Sequence, residues 1–249
     1  MWNDLSLPVV IAHRGDKQHA PENTLAAFKL AAENGADAIE FDLKLTADGR
    51  VVVLHDQTVN RTSNGTGRIY QLPFAAVRDL DAGTWFSGKF QGERIPTLNE
   101  VFESVDKRMY FNVELANYAT PGDGLVNKVV DSAKKHNLQN RILFSSFYPR
   151  NLQITRSLMP EVPRGLLCKR GIRDAWKRTF TWQGDYFALH PHLDNVHPRL
   201  VSKVHASGKR VHVWTVNQEE DLKRMIDLGV DAIITDNPVM ALHLLGRSI

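Results

Sequence analysis

The chain has 249 residues and a single cysteine, Cys168. One thiol cannot close a disulfide within the chain, nor supply the sulfur set of a structural zinc site. No apolar run approaches the ~20 residues that a membrane-spanning helix needs. The opening Met1-Trp2-Asn3-Asp4 lacks the positive start and long apolar stretch of a secretory signal. A cytoplasmic, reducing location is therefore expected. A large excess of one charge is also missing: 31 Lys and Arg face 28 Asp and Glu, for a formal net charge of +3. With no Lys/Arg run, nothing argues for nucleic acid as a partner, while a small anionic substrate is compatible. A glycine-rich phosphate fingerprint is absent after the first apolar run, residues 9–12.

What is present is a 43% hydrophobic chain of a length suited to one large α/β domain or two small ones. The stretch 9–24, VVIAHRGDKQHAPENT, organises it. A β-branched run stops at His13-Arg14-Gly15, and a helix is expected over 22–34, with Leu25, Phe28 and Ala32 on one face and Gly35 as its stop. Further strands are expected at 38–45, 51–55, 109–115, 141–146, 165–168, 186–190, 210–216 and 232–235. Helices are expected near 124–136, 149–158, 198–206, 218–227 and 237–246. About eight strand-plus-helix units of roughly 30 residues predict a parallel (β/α)8 TIM barrel, with 51–55 as a hairpin return. A doubly wound open sheet is the alternative. Residues 57–96 break the rhythm with Gly65, Gly67, Gly83, Gly88, Gly92 and the aromatics Trp85, Phe86 and Phe90. They read either as a small inserted lobe over the barrel mouth or as a long connection. The chain 1–249 is otherwise expected to be one domain.

The chemistry concentrates at strand ends. Side chains alternate along a strand, so Glu40, Asp42 and Lys44 share one face and Ile39, Phe41, Leu43 and Leu45 the other. A solvated face would explain this only in a sheet open to water, and a parallel sheet is covered on both sides. Two inward carboxylates repel, and a divalent cation resolves the repulsion. On 109–115, Asn112 and Glu114 share a face and add a third carboxylate. This oxygen-rich set suits Mg²⁺ or Ca²⁺ and disfavours zinc. His13 and His55 each end an apolar strand beside a charged residue, Arg14 or Asp56, and suit a general acid and a general base. Arg14 offers a planar donor fork for phosphate. His190 ends a strand before a proline and is expected to line the mouth. Trp214 reads either as an apolar wall for substrate or as core. Of Ser145 and Ser146, only Ser146 is expected near the site.

The motifs together resemble one family. His13-Arg14-Gly15 with Pro21-Glu22-Asn23-Thr24, Glu40-Phe41-Asp42, Leu54-His55-Asp56, Arg61-Thr62, Asn64-Gly65 and Asn112-Val113-Glu114 resemble the glycerophosphodiester phosphodiesterases. The likeness continues through Val213-Trp214-Thr215-Val216-Asn217 to Thr235-Asp236 and covers essentially the whole chain. It implies a TIM barrel with a small insertion, and metal-aided hydrolysis of glycerophosphodiesters to glycerol 3-phosphate and an alcohol. By family position Glu40, Asp42 and Glu114 would hold the metal, and His13 and His55 would be the acid/base pair. Arg14 would hold the phosphate, with Glu22 and Asn112 supporting the site from behind. In relatives the attacker is thought to be the substrate's own 2-hydroxyl, giving a cyclic phosphate that water then opens.

The chain departs from the family at one place. Relatives commonly carry lysine two positions after the third carboxylate, where this chain has Ala116. Lys44, on the face of Glu40 and Asp42, is the expected substitute. Two other readings stand beside the main one: a phosphodiesterase like the lysophospholipases D, and a phosphate-binding module without turnover. The segment 57–96 argues against the first, and the presence of both His13 and His55 against the second.

Overall fold

The structure is a computed structural model that describes residues 1–171, 174 and 185–247. Its strands are β1 (Val9–His13), β2 (Ala38–Leu45), β3 (Val51–Val53), β4 (Tyr110–Leu115), β5 (Ile142–Ser146), β6 (Arg164–Cys168), β7 (Ala188–Pro191), β8 (Arg210–Val213) and β9 (Ala232–Thr235). All but β3 are parallel to their neighbours, and β1 pairs with both β9 and β2. That last pairing closes the cylinder, giving the (β/α)8 barrel and ruling out an open sheet. No described helix is long and apolar enough to cross a membrane.

β3 stands outside the ring. β4 occupies one edge of β2 as far as Leu43. Along the other edge β1 pairs up to His13↔Glu40, and β3 continues antiparallel from Leu43↔Val53. β3 ends at Val53, so the expected strand 51–55 is two residues too long. His55 lies in the bend after it, leaving β1 and β3 to bring a histidine each to the same edge of β2.

Eight helices cover the barrel among the described residues: α1 (Leu25–Glu33), α2 (Phe74–Arg78), α3 (Leu98–Ser104), α4 (Leu125–Lys135), α5 (Pro149–Leu158), α6 (Pro198–Ala206), α7 (Glu219–Asp227) and α8 (Pro238–Leu244). α1 starts three residues later than expected. Thr24 caps it, its hydroxyl accepting from the Ala27 amide, while Asn23 sits in the left-handed region at φ 57°. Pro21-Glu22-Asn23 is thereby held out of the helix and turned to the barrel mouth.

Period-two alternation sorts every strand. Ile39, Phe41 and Leu43 point outward, where Phe41 meets Phe28 and Phe111 at ring-centroid separations of 5.6 and 6.3 Å. The inward residues divide by height. Near the strand starts Val9, Ile11, Ala38, Leu143, Ala232 and Ile234 pack with Trp2 into an apolar floor. Toward the strand ends the inward positions become His13, Glu40, Asp42, Asn112 and Glu114. Residues 57–96 carry α2 and pack Val59, Ile69, Val77 and Ala82 with Val52 and Leu54 into a separate small apolar cluster. Of the aromatics expected there, Trp85 is exposed, and Phe86 and Phe90 are half-buried.

Candidate active site

Strand register sets the centre of the site. β2 and β4 align Glu40 with Asn112 and Asp42 with Glu114. Glu40, Asp42 and Glu114 each offer an oxygen, and these oxygens lie within 4.8 Å of one another. Three carboxylates so close, in so little water, cannot all stay ionised unaided. Burial raises Glu40 well above the usual carboxylate range, with repulsion from Asp42 and Glu114 adding to it. Burial, then repulsion from Asp42, pushes Glu114 up to about 8. Burial works against Asp42 too, but Arg14 foremost, with His55 and Lys44, holds it down at about 2. Asn112 is buried here with its Oδ1 unpartnered among the described residues. An all-oxygen donor set with two carboxyls forced toward protonation fits a hard divalent cation.

Each histidine is held through Nδ1 by a carboxylate. His13 Nδ1 lies 2.7 Å from Asp236 Oδ1, and His55 Nδ1 lies 2.7 Å from Asp56 Oδ1. A carboxylate only accepts, so Nδ1 carries the hydrogen and Nε2 is free for other chemistry. His13 Nε2 sits 3.9 Å from Glu40 Oε2. Burial lowers His13 to about 4 in spite of Asp236, so its ring is neutral at pH 7. Asp236 is itself fixed by Asn217 Nδ2 at 2.8 Å and Lys17 Nζ at 3.2 Å.

Arg14 takes a left-handed backbone at φ 59°, which turns it back along the mouth. Its amide donates to Glu40 Oε2 at 3.1 Å, and its Nη1 to Glu22 Oε1 at 2.9 Å. Its Nε lies 3.4 Å from Asp42 Oδ2. Arg61 donates to both oxygens of Glu22 at 2.8 Å and also binds Asp56. Burial alone would raise Glu22, but Arg61 and Arg14 together lower it to about 2. Glu22 thus ties Arg14 to the His55 side. Asn23 Nδ2 donates to Asp42 Oδ2 at 3.1 Å.

Two chambers open from the carboxylates. The smaller, about 220 Å³, is lined by His13, Arg14, Asn112, Ser145, Leu167 and Trp214 among others. The larger, about 470 Å³, is lined by Lys44, Gln57, Ala116, Tyr118, Tyr148 and Lys169 among others. Asp42, His55, Glu114 and Phe147 belong to both. Trp214 is a cavity wall, its Nε1 anchored on the His190 carbonyl at 2.8 Å and its ring edge-on to Phe147. Lys44 Nζ donates to the Ala116 carbonyl at 3.0 Å.

Two expectations change. His190 lines neither chamber: its side chain is fully buried and packs tilted against His212 with centroids 4.7 Å apart. A Cβ on Gly165 would come within 2.2 Å of its Nε2, so a glycine beneath makes room for the ring. Of the serines, Ser145 lines the cavity, because it stands opposite Glu114 on the inward face. Ser146 faces away and donates to the Leu115 carbonyl.

Several residues of the site had no role assigned from the sequence: Asp236, Asn217, Lys17, Asn23, Tyr118 and Lys169. Asp236 was within reach. In a closed barrel the last strand lies beside the first, and Ala12↔Thr235 sets His13 next to Asp236. Tyr118 had no such signal, since it lies in the turn after β4. Its hydroxyl donates to Glu114 Oε1 at 2.9 Å and accepts from the Phe147 amide at 3.0 Å.

A family model described as the glycerophosphoryl diester phosphodiesterase family matches residues 13–240. A glycerophosphodiester phosphodiesterase of Caldanaerobacter subterraneus subsp. tengcongensis is 42% identical over 240 residues, 96% of this chain and 98% of that protein. One from Bacillus altitudinis is 36% identical over 94% of this chain and 97% of its own length. Among solved structures, an Oleispira antarctica phosphodiesterase in complex with the product sn-glycerol-3-phosphate superposes with a TM-score of 0.85. It is 35% identical, over 97% of this chain and 98% of that one.

Proposed function

This chain belongs to the glycerophosphoryl diester phosphodiesterase family, and from that premise we propose that it hydrolyses glycerophosphodiesters to glycerol 3-phosphate and an alcohol with a divalent cation and a histidine pair. One observation carries the reading: two imidazoles, each fixed at Nδ1 by a carboxylate, flank three converging carboxylates. Glu40, Asp42 and Glu114 would hold Mg²⁺ or Ca²⁺, and Asn112 would support them. The cation, when bound, supplies charge neutralisation at the phosphate oxygens.

The chain's own residues do the rest. Arg14 binds a non-bridging phosphate oxygen, held in place by Glu22. One of His13 and His55 takes the proton from the attacking oxygen as the new P–O bond forms. The other gives its proton to the alkoxide as the old P–O bond breaks. Asp236 and Asp56 each accept the Nδ1 hydrogen of a ring, so Nε2 faces the reaction on both, bare on the base and protonated on the acid. Trp214 and Leu167 exclude water from the smaller chamber. Lys44 supplies the positive charge that the lysine of relatives would supply from position 116. Residues 57–96 form the small inserted lobe that brings Arg61 to Asp56 at the mouth.

The test is turnover of glycerophosphodiesters after dialysis against EDTA, then with Mg²⁺ or Ca²⁺ restored. Activity should vanish and return. Undiminished turnover in excess chelator would refute the cation, and no turnover of any diester with metal would refute the activity. Lys44→Ala should cost far more turnover or affinity than a surface lysine would, with the fold intact. An unchanged rate would reject Lys44 alone.

A further inference from the structure

The larger chamber bears on which alcohol leaves. The two chambers meet at Asp42, His55 and Glu114, so a diester on the carboxylates would place one ester arm in each. The smaller is suited to a three-carbon glycerol, with Trp214, Leu167 and Phe147 as its walls. The larger therefore takes the departing alcohol, with His55 on its rim.

Its charges are one-sided. Asp42 and Glu114 face the cation site. Asp56 is engaged by Arg61 through Nε at 2.8 Å and Nη2 at 3.1 Å, and by His55. Among the described residues no lining carboxylate is left for a cationic ligand. The two lysines keep hydrogens to spare by contrast. Lys44 spends one hydrogen on the Ala116 carbonyl, which leaves two. The Lys169 ammonium, exposed just past the end of β6, has no partner among the described residues. Its backbone is fixed on both sides. The amide donates to Asp174 Oδ2 at 2.8 Å, and the carbonyl accepts from Asn195 Nδ2 at 2.8 Å. The neighbouring Arg170 is neutralised by Asp194. Ala116 adds open space where a lysine side chain would otherwise stand.

A quaternary ammonium could look to the rings of Tyr118, Tyr148 and Phe147. A cation–π site needs those faces without a competing cation, and here two ammonium groups share the chamber. Aromatic walls combined with hydroxyl-binding donors suit a polyol better. Resting on the phosphodiesterase reading above, we propose that the leaving group of this chain's substrate is an uncharged or anionic polyol such as glycerol or inositol, selected over choline and ethanolamine by Lys169 and Lys44 in the larger chamber.

The experiment compares kcat/KM for glycerophosphoglycerol, glycerophosphoinositol, glycerophosphocholine and glycerophosphoethanolamine, with saturating Mg²⁺ or Ca²⁺. The polyol diesters should lead by roughly tenfold or more, the scale on which like charges at a recognition site discriminate. Lys169→Glu should shift the polyol-to-choline ratio toward choline by about tenfold or more, mainly through KM. Lys169 is exposed, so the variant should keep the wild-type melting temperature. An equal or better rate on the choline diester, or a ratio unmoved by Lys169→Glu, overturns the proposal and leaves the phosphodiesterase reading standing. Failure to cleave any of the four diesters overturns both.

Discussion

The barrel interior has a floor and a mouth, and histidines stand in both. On the floor the His190 and His212 rings lie 4.7 Å apart at a tilt of 34°, and none of their ring nitrogens has a partner among the described residues. At the mouth His13 and His55 each have a carboxylate 2.7 Å from Nδ1 and a cavity beside the ring. His55 is exposed, but burial depresses the His190 pKa to about 3 and that of His13 to about 4, so burial alone does not separate His13 from the floor. Partners do. A histidine without an orienting carboxylate or a route to ligand is a packed ring, and the same residue a few ångströms higher has both.

The strongest way to break this contrast is to remove a histidine from each region. His13→Ala and His55→Ala should each lower turnover by about 10²–10⁴-fold, with melting temperatures near wild type. Near-normal turnover in either variant on an unactivated diester would deny that histidine a role in proton transfer.

The floor should fail through stability instead. His190 and His212 are neutral in the folded chain and depressed by burial. Unfolded, they take up protons near pH 6.5, so the unfolded chain gains protons first as pH falls. Stability is full above that pH. It should be lost by up to ~1.4 kcal/mol per pH unit for each histidine as pH falls from about 6.5 toward 3. His212→Phe keeps a ring for Trp2 and Phe187 but does not titrate. Urea unfolding between pH 7 and 5 should show a shallower slope for this variant, and equal slopes would reject the linkage.

The carboxylates of the mouth carry the opposite sign. With no cation bound, Glu114 is raised to about 8. The folded chain then holds a proton that the unfolded chain releases near 4.5. Metal-free stability from this group is present below pH 4.5 and should fall as pH rises toward 8. A divalent cation replaces that proton, so the thermal shift on adding Mg²⁺ or Ca²⁺ should be larger at pH 9 than at pH 6. An equal or reversed shift would exclude these carboxylates as its source.

The smallest effect sharpens the mouth alone. Tyr118→Phe removes the hydroxyl that donates to Glu114 Oε1 and should weaken cation affinity by roughly tenfold, the lower end for groups that orient a ligand. Calorimetric titration reads this directly, and unchanged affinity would reduce Tyr118 to packing.

The same contrast explains what the sequence made legible. Alternation on 38–45 exposed the inward carboxylates, because a run such as Ile-Glu-Phe-Asp-Leu has few structural uses in a covered parallel strand. Strand count and spacing gave the closed barrel. Height along the barrel axis was not legible. His190 and His55 both look like strand-end residues, yet one lies below the cavity and the other two residues beyond β3. Height follows from stagger between neighbouring strands, which local patterns do not encode. Residues outside strands, such as Tyr118 and Lys169, had no periodicity to reveal them.

The bond from His13 to Asp236 spans 223 residues. One partner ends the first strand and the other follows the last, so the ring is held in its working tautomer only after β9 has docked against β1. On the proposed role of His13, activity is conditional on completion of the chain's topology. A truncated or half-folded barrel can assemble β2 and β4 and gather its three carboxylates, yet its first histidine would remain unaligned. Under that role, turnover doubles as a report that the cylinder has closed.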